Sequence, residues 1–158
     1  MKNRWKIILI ILLSALILFS IIFYVRASRP ANTAKREAVA LAKKYADMEE
    51  VDRFYWFSRK KTYFSLVGKD NKKNNIVVII PKSGEKVTVY NQSEGLTETQ
   101  ALKKVIDSDH PKTIKKITLG MYNDEAAWEI MTANKNGELS YYLISFKTGK
   151  TINIIKNI

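Results

Sequence analysis

Few residues in this chain have the types and spacing that chemistry needs. There is no cysteine and a single histidine, His110, in the run Ser108-Asp109-His110. Those are the letters of a hydrolase triad, in which a base lies within hydrogen-bond reach of the nucleophile and is oriented by a carboxylate. Three consecutive residues at a helix end, followed by Pro111, do not converge on that geometry, so the run reads as a helix terminus. A lone histidine without cysteine partners is not a zinc pattern. Asp47, Glu49, Glu50 and Asp52 form an acidic cluster, but they lack the alternating ligands and the glycine of a calcium loop. Phosphate cradles of the GxxxxGK[ST] or GxGxxG type are absent. The expectation is a protein that is not an enzyme and that uses no metal and no cofactor.

What the residues specify instead is placement. The uncharged run Ile7 to Val25 would rise roughly 28 Å as an α-helix, close to the ~30 Å hydrocarbon thickness of a bilayer. A cleavable signal would have a shorter apolar region and a better small-residue site than VRASRPANTA offers, so an uncleaved signal anchor is predicted. Lys2, Arg4 and Lys6 favour a cytoplasmic tail over residues 1–6, a transmembrane helix over 7–25 and an extracytoplasmic C-terminal part. Residues 26–32 then form a linker, with Pro30 ending the membrane helix, and its reach of about 20 Å would keep the folded part close to the membrane.

The formal charge is +12, of which the five basic residues flanking the apolar run supply five and residues 30–158 the rest. A basic surface outside the membrane meets anionic headgroups, anionic wall polymers or an acidic protein, and not nucleic acid. Arg59-Lys60-Lys61, Lys69 with Lys72-Lys73, Lys103-Lys104 and Lys115-Lys116 are the basic runs. Absence of cysteine leaves the apolar core to hold the fold without disulfides.

Self-similarity organises the remainder. Lys82-Ser83-Gly84 recurs as Lys147-Thr148-Gly149, and the same offset of 65 pairs Tyr63 with Trp128, Leu66 with Met131 and Val78 with Leu143. Upstream an offset of 63 pairs Ala38 with Ala101, Phe54 with Ile117 and Trp56 with Leu119. Two tandem repeats are predicted, residues 33–92 and 95–158, each one helix followed by a four-stranded antiparallel meander. Ala34, Ala38, Leu41, Ala42 and Tyr45 mark one face of the first helix. Thr97-Glu98-Thr99-Gln100 is a capping box for the second. The predicted strands cover about 51–57, 61–68, 75–81 and 85–90, then 113–122, 127–133, 138–146 and 150–156. Segments 76–80 and 141–146 are apolar on nearly every residue, so their strands need cover on both faces. A helix supplies one face; the sister repeat, a second copy in a homodimer or another protein must supply the other.

Thr97-Glu98-Thr99-Gln100-Ala101-Leu102, the strand Trp128-Glu129-Ile130 and Phe146-Lys147-Thr148-Gly149-Lys150, placed after a basic tail and one membrane helix, resemble the YpmB or TseB-like proteins of Gram-positive bacteria. The resemblance implies an α+β fold of two tandem PepSY-like, cystatin-like domains. It also implies a role in peptidoglycan elongation beside a penicillin-binding protein, with no catalytic set to transfer. Alternatives of other classes are an accessory regulator of a membrane sensor kinase and a PepSY-type peptidase inhibitor.

Comparison of the repeats singles out one candidate contact. Tyr55 and Phe57 align with Thr118 and Gly120, so the first repeat carries aromatic side chains where its sister has small or polar ones. They form either a joint between repeats or, with Arg53 and Arg59, a surface for a partner. The expectation tested below is the partner surface, Arg53, Tyr55, Phe57 and Arg59.

Overall fold

The computed structural model describes residues 2–156 and 158, with side chains placed for all of these except 2, 3, 25 and 27–30. The ends of the predicted tail and second repeat, Met1 and Asn157, lie outside the described residues. The architecture is α+β, and the chain divides into two compact units, Met1–Arg36 and Glu37–Ile158.

The first unit is helical, and it holds most of α1 (Lys2–Ala46). Arg4–Tyr24 is long and apolar enough to cross a bilayer, and none of it is buried by protein. It is the one such helix among the described residues. Residues 26–32, predicted as a linker, continue α1 through Pro30 rather than breaking before it. An interior proline costs roughly 3 kcal/mol, which is comparable to nucleating a new helix afresh, so a proline need not end one.

The second unit, which begins at Glu37, contains both four-stranded sheets. The first sheet runs β1 (Met48–Ser58), β2 (Thr62–Asp70), β3 (Asn75–Pro81) and β4 (Thr88–Asn91) in that spatial order. A short 3₁₀ turn, Gln92–Glu94, leads to α2 (Glu98–Asp109), and the second sheet follows as β5 (Thr113–Tyr122), β6 (Glu125–Ala133), β7 (Leu139–Ser145) and β8 (Thr151–Ile155). Both are antiparallel meanders, as turn chemistry and alternation require. Thr97 caps α2 through the predicted box with Gln100, and His110 closes it in the left-handed region at φ 45°. The buried Ala38 and Ala42 of α1 lie on the face that the helical spacing marked out, whereas Tyr45 of that set is exposed; α2 buries Ala101 and Val105.

Strand pairing corrects the repeat alignment. Trp56 opposes Phe64 and Leu119 opposes Trp128, so Phe64, and not Tyr63, is the counterpart of Trp128. The offset is 63 in the first strand of each repeat. It becomes 64 in the middle two, where Phe64–Ile80 matches Trp128–Ile144, and 65 in the last, where Val78–Val89 matches Tyr142–Ile154. The β1–β2 turn takes up one residue and an irregularity in the β7–β8 pairing between Leu143 and Ile144 takes up the other, instead of one loop taking up both. A slip of one residue in a strand changes the face on which every side chain lies. Tyr63 therefore belongs to the face opposite Phe64.

Lys156, beside the end of β8, bonds the Asp109 carboxylate at the end of α2. That hydrogen bond holds the Asp109 carboxyl below its ordinary range. A carboxyl depressed on folding contributes stability above its unfolded value and loses it as pH falls through the folded one. Asp109→Asn should cost about 0.2–1 kcal/mol in urea denaturation at neutral pH, and nothing once the medium is acid enough to protonate the folded carboxyl.

Candidate binding site: the repeat joint and the basic cleft beside it

Tyr55, Ser65 and Phe57 share one face of the first sheet, since Tyr55 pairs with Ser65 and Phe57 lies two residues on. Tyr55 packs edge-on to Trp128, with ring centroids 5.3 Å apart. Phe57 packs with Ala127 and Leu143. Trp128 and Ala127 point to opposite faces of the second sheet, so two residues on one face of the first sheet reach both faces of the second. The edge strand β5 therefore abuts the face of β1 and β2, with Tyr55 on one side and Phe57 on the other. Between them the Ser65 hydroxyl donates to the Leu119 carbonyl of β5 at 2.7 Å, a buried bond.

Close approach depends on Gly120. A Cβ built there would meet the Phe57 ring, so the small residue opposite Phe57 is a packing requirement. At the near side the Tyr55 hydroxyl donates to Glu98 Oε2 at 2.5 Å. Burial first, and then the anionic acceptor, push the Tyr55 phenol far above its ordinary range, so it stays protonated. At the far side Arg59 donates to the Glu129 carboxylate, a pair mostly removed from water.

The expected partner surface is thus corrected. Tyr55 is 7% exposed and Phe57 1%, and both belong to the joint. Arg59 is committed to Glu129. Arg53 is exposed, 3.8 Å from Glu98. The sister repeat supplies the second cover expected for 76–80: Val77 and Ile79 join Tyr55, Val105, Trp128 and Ile144 in one core.

Ser108 donates to the Val105 carbonyl and to Asp109, Asp109 is held by Lys156, and no hydrogen bond joins the His110 imidazole to either among the described residues. Glu50 pairs with Lys73 and Lys69. Among the described residues no group of three His, Cys, Asp or Glu side chains could hold a metal ion.

Beside the joint lies a cleft of about 540 Å³ walled by three connections. The β1–β2 loop contributes Lys61, with Tyr63 at the start of β2. The β3–β4 loop contributes Lys82 and Lys86; it is pinned by Lys82 N–H to the Thr62 carbonyl at 2.9 Å and by a Pro81–Gly84 turn in which Gly84 takes φ +77°. The β5–β6 turn, with Asn123 and Asp124 at φ 48° and 63°, brings Met121 and Asp124. Two positive φ values in a two-residue loop are the geometry of a tight hairpin turn. Of these, only Lys61 belongs to a basic run visible in the sequence; nothing local to 82–86 or 121–124 marks them as neighbours.

Comparison with known proteins bears on what such a surface serves. The chain is 30% identical over 149 residues to a Bacillus subtilis (strain 168) protein named as a probable cell wall elongation regulator, TseB, spanning 94% of this chain and 91% of that one. The chain belongs to the TseB-like family. A family model described as the cell wall elongation regulator TseB-like domain matches residues 37–81, from the end of α1 through β3. That stretch lies in the first repeat, whereas the residues that carried the resemblance in the sequence lie mostly in the second. A solved structure, the YpmB protein from Bacillus subtilis, has the same fold, with a TM-score of 0.67 at 29% identity over 77% of this chain and 95% of that one. The TseB-like family is named for regulation and not for a reaction.

Two changes test the joint. Gly120→Ala should lower stability by about 1–3 kcal/mol through overpacking, and Phe57→Leu in the same chain should restore part of it, as read by thermal unfolding of the full chain in detergent. Arg59→Met, which strands the Glu129 carboxylate, should cost more than the double change Arg59→Met, Glu129→Leu, by about 1–3 kcal/mol in the same measurement.

Proposed function

We propose that the protein is a single-pass membrane regulator of cell-wall elongation, with its N-terminus in the cytoplasm and residues 37–158 outside, acting by contact with a penicillin-binding protein and without chemistry of its own. The observation that carries this reading is the near full-length similarity to a probable cell wall elongation regulator. Three features agree with it. The apolar stretch Arg4–Tyr24 is unburied, as an anchor's would be. Lys2, Arg4 and Lys6 at the N-terminal end suit a cytoplasmic tail. Among the described residues no hydrogen bond joins the His110 imidazole to Ser108 or Asp109, while Tyr55, Phe57 and Ser65 join the two repeats.

A deletion strain of the native host tests the reading. Full-length chain should restore the elongation rate and cell dimensions, and so should a chain whose apolar stretch is replaced by an unrelated membrane span, because the folded unit makes the contact. A penicillin-binding protein should be recovered by crosslinking from both. Loss of rescue on span replacement alone would overturn the reading in favour of contact through the membrane helix, as an accessory to a sensor kinase would make. A reporter fused after Ile158 that is active only in the cytoplasm would overturn the orientation.

A further inference from the structure

The cleft has a chemistry that narrows what can occupy it. Lys61, Lys82 and Lys86 are exposed on its walls, and among the described residues no carboxylate lies within ion-pair distance of any of them. Lys69, Lys73, Lys103, Lys147 and Lys156, by contrast, are each paired with an acid. Lys60 lines a smaller hollow next to it, extending the basic rim, and Arg59 lines the same hollow while paired with Glu129. The floor is apolar, with half-buried Tyr63, Pro81 and Met121, and methionine adapts its shape to what it meets. Its volume of about 540 Å³ lies within the range of ligand-binding sites.

Three classes of anion carry charge that lysines would attract, and the cleft separates them. A bilayer presents its headgroups as a plane, which fits a flat or convex basic face better than the walls of a hollow. A uniform polyanion would face Glu85 and Asp124, which line the same cleft and repel it. A peptide offers carboxylates for the lysines, an apolar side chain for the floor, and N–H or hydroxyl donors for the two acids.

We propose that this cleft docks an acidic segment of a partner protein, one apolar side chain of which seats over Tyr63 and Met121 while flanking carboxylates meet Lys61 from one loop and Lys82 and Lys86 from the other. The assignment rests on the regulatory reading for its setting, in that it places a protein contact on the folded unit. Docking here needs both repeats, because the first supplies the lysines and the second supplies Met121 and Asp124. The joint holds these walls together, which makes the cleft a product of the pairing of repeats rather than of either one.

The test is selection of a random heptapeptide phage library on the full chain in detergent, followed by fluorescence anisotropy with the synthetic consensus. Expected are peptides with two or more Asp or Glu around one Phe, Leu or Met, bound more weakly as salt rises. Their affinity should fall about tenfold or more in Lys61→Glu, Lys82→Glu, Lys86→Glu, the combined loss of three rim pairs. Lys112→Glu, Lys135→Glu, Lys150→Glu, with the same change in net charge at exposed lysines elsewhere, should bind as the unaltered chain does. Peptides without acids, or equal loss in the two triple variants, would overturn the proposal. So would tighter cleft-dependent binding of inorganic polyphosphate, or of phosphatidylglycerol vesicles, which would make the cleft a polyanion site or a membrane contact respectively. Because selection does not involve elongation, a chain that rescues growth yet selects no acidic peptide removes this assignment alone. One that selects peptides yet fails to rescue removes the regulatory reading alone.

Discussion

The free edge of β5 pressed on the face of β1 and β2 is the constraint on which the rest of the C-terminal unit depends. An edge strand carries unpaired backbone groups that must be satisfied or covered. Here the Ser65 hydroxyl takes the Leu119 carbonyl, and Tyr55 and Phe57 close over the strand from either side. The arrangement works only because Gly120 has no side chain to hold the sheets apart. It also explains why aromatic residues stand in the first repeat where the second has threonine and glycine: one member of the pair supplies the bulk and the other the space.

From that contact follows the loss of independence of the repeats. Val77 and Ile79 are on the face of β3 turned away from α1, and they are buried by the second repeat rather than by a second copy of the chain. Polar groups at the rim are matched across the joint as well, Tyr55 with Glu98 and Arg59 with Glu129. The Arg59–Glu129 pair adds little net stability for its burial, since desolvation offsets much of the attraction. A pair of repeats joined in this way presents loops from both as one surface. The cleft walled by the β1–β2, β3–β4 and β5–β6 connections is the clearest such surface.

Much of the fold is legible in the sequence because it rests on short-range physics. The apolar run, the Thr97 to Gln100 box and the alternation of strands are written within windows of a turn or a hairpin, and the structure places each close to where those windows put it. The candidate site is legible only in part. Arg59-Lys60-Lys61 stands out as a basic run, but Lys82, Lys86 and Met121 carry no local signal of their common address. Tyr55 and Phe57 were singled out by comparing repeats, and that comparison cannot tell a joint from an open patch, since both require aromatic area.

By itself the sequence determined a membrane-spanning helix and a duplicated helix-plus-meander, because helical and strand periodicities are local and were present twice. Only the tertiary structure decided the strand register between repeats, the continuation of α1 through Pro30, and the burial of Tyr55 and Phe57. The physical reason is range. A strand's side chains alternate with a period of two, so the one residue taken up at the β1–β2 turn moves Tyr63 to the opposite face without altering the pattern. Which faces then meet is fixed by a contact between residues more than fifty positions apart, such as Ser65 and Leu119.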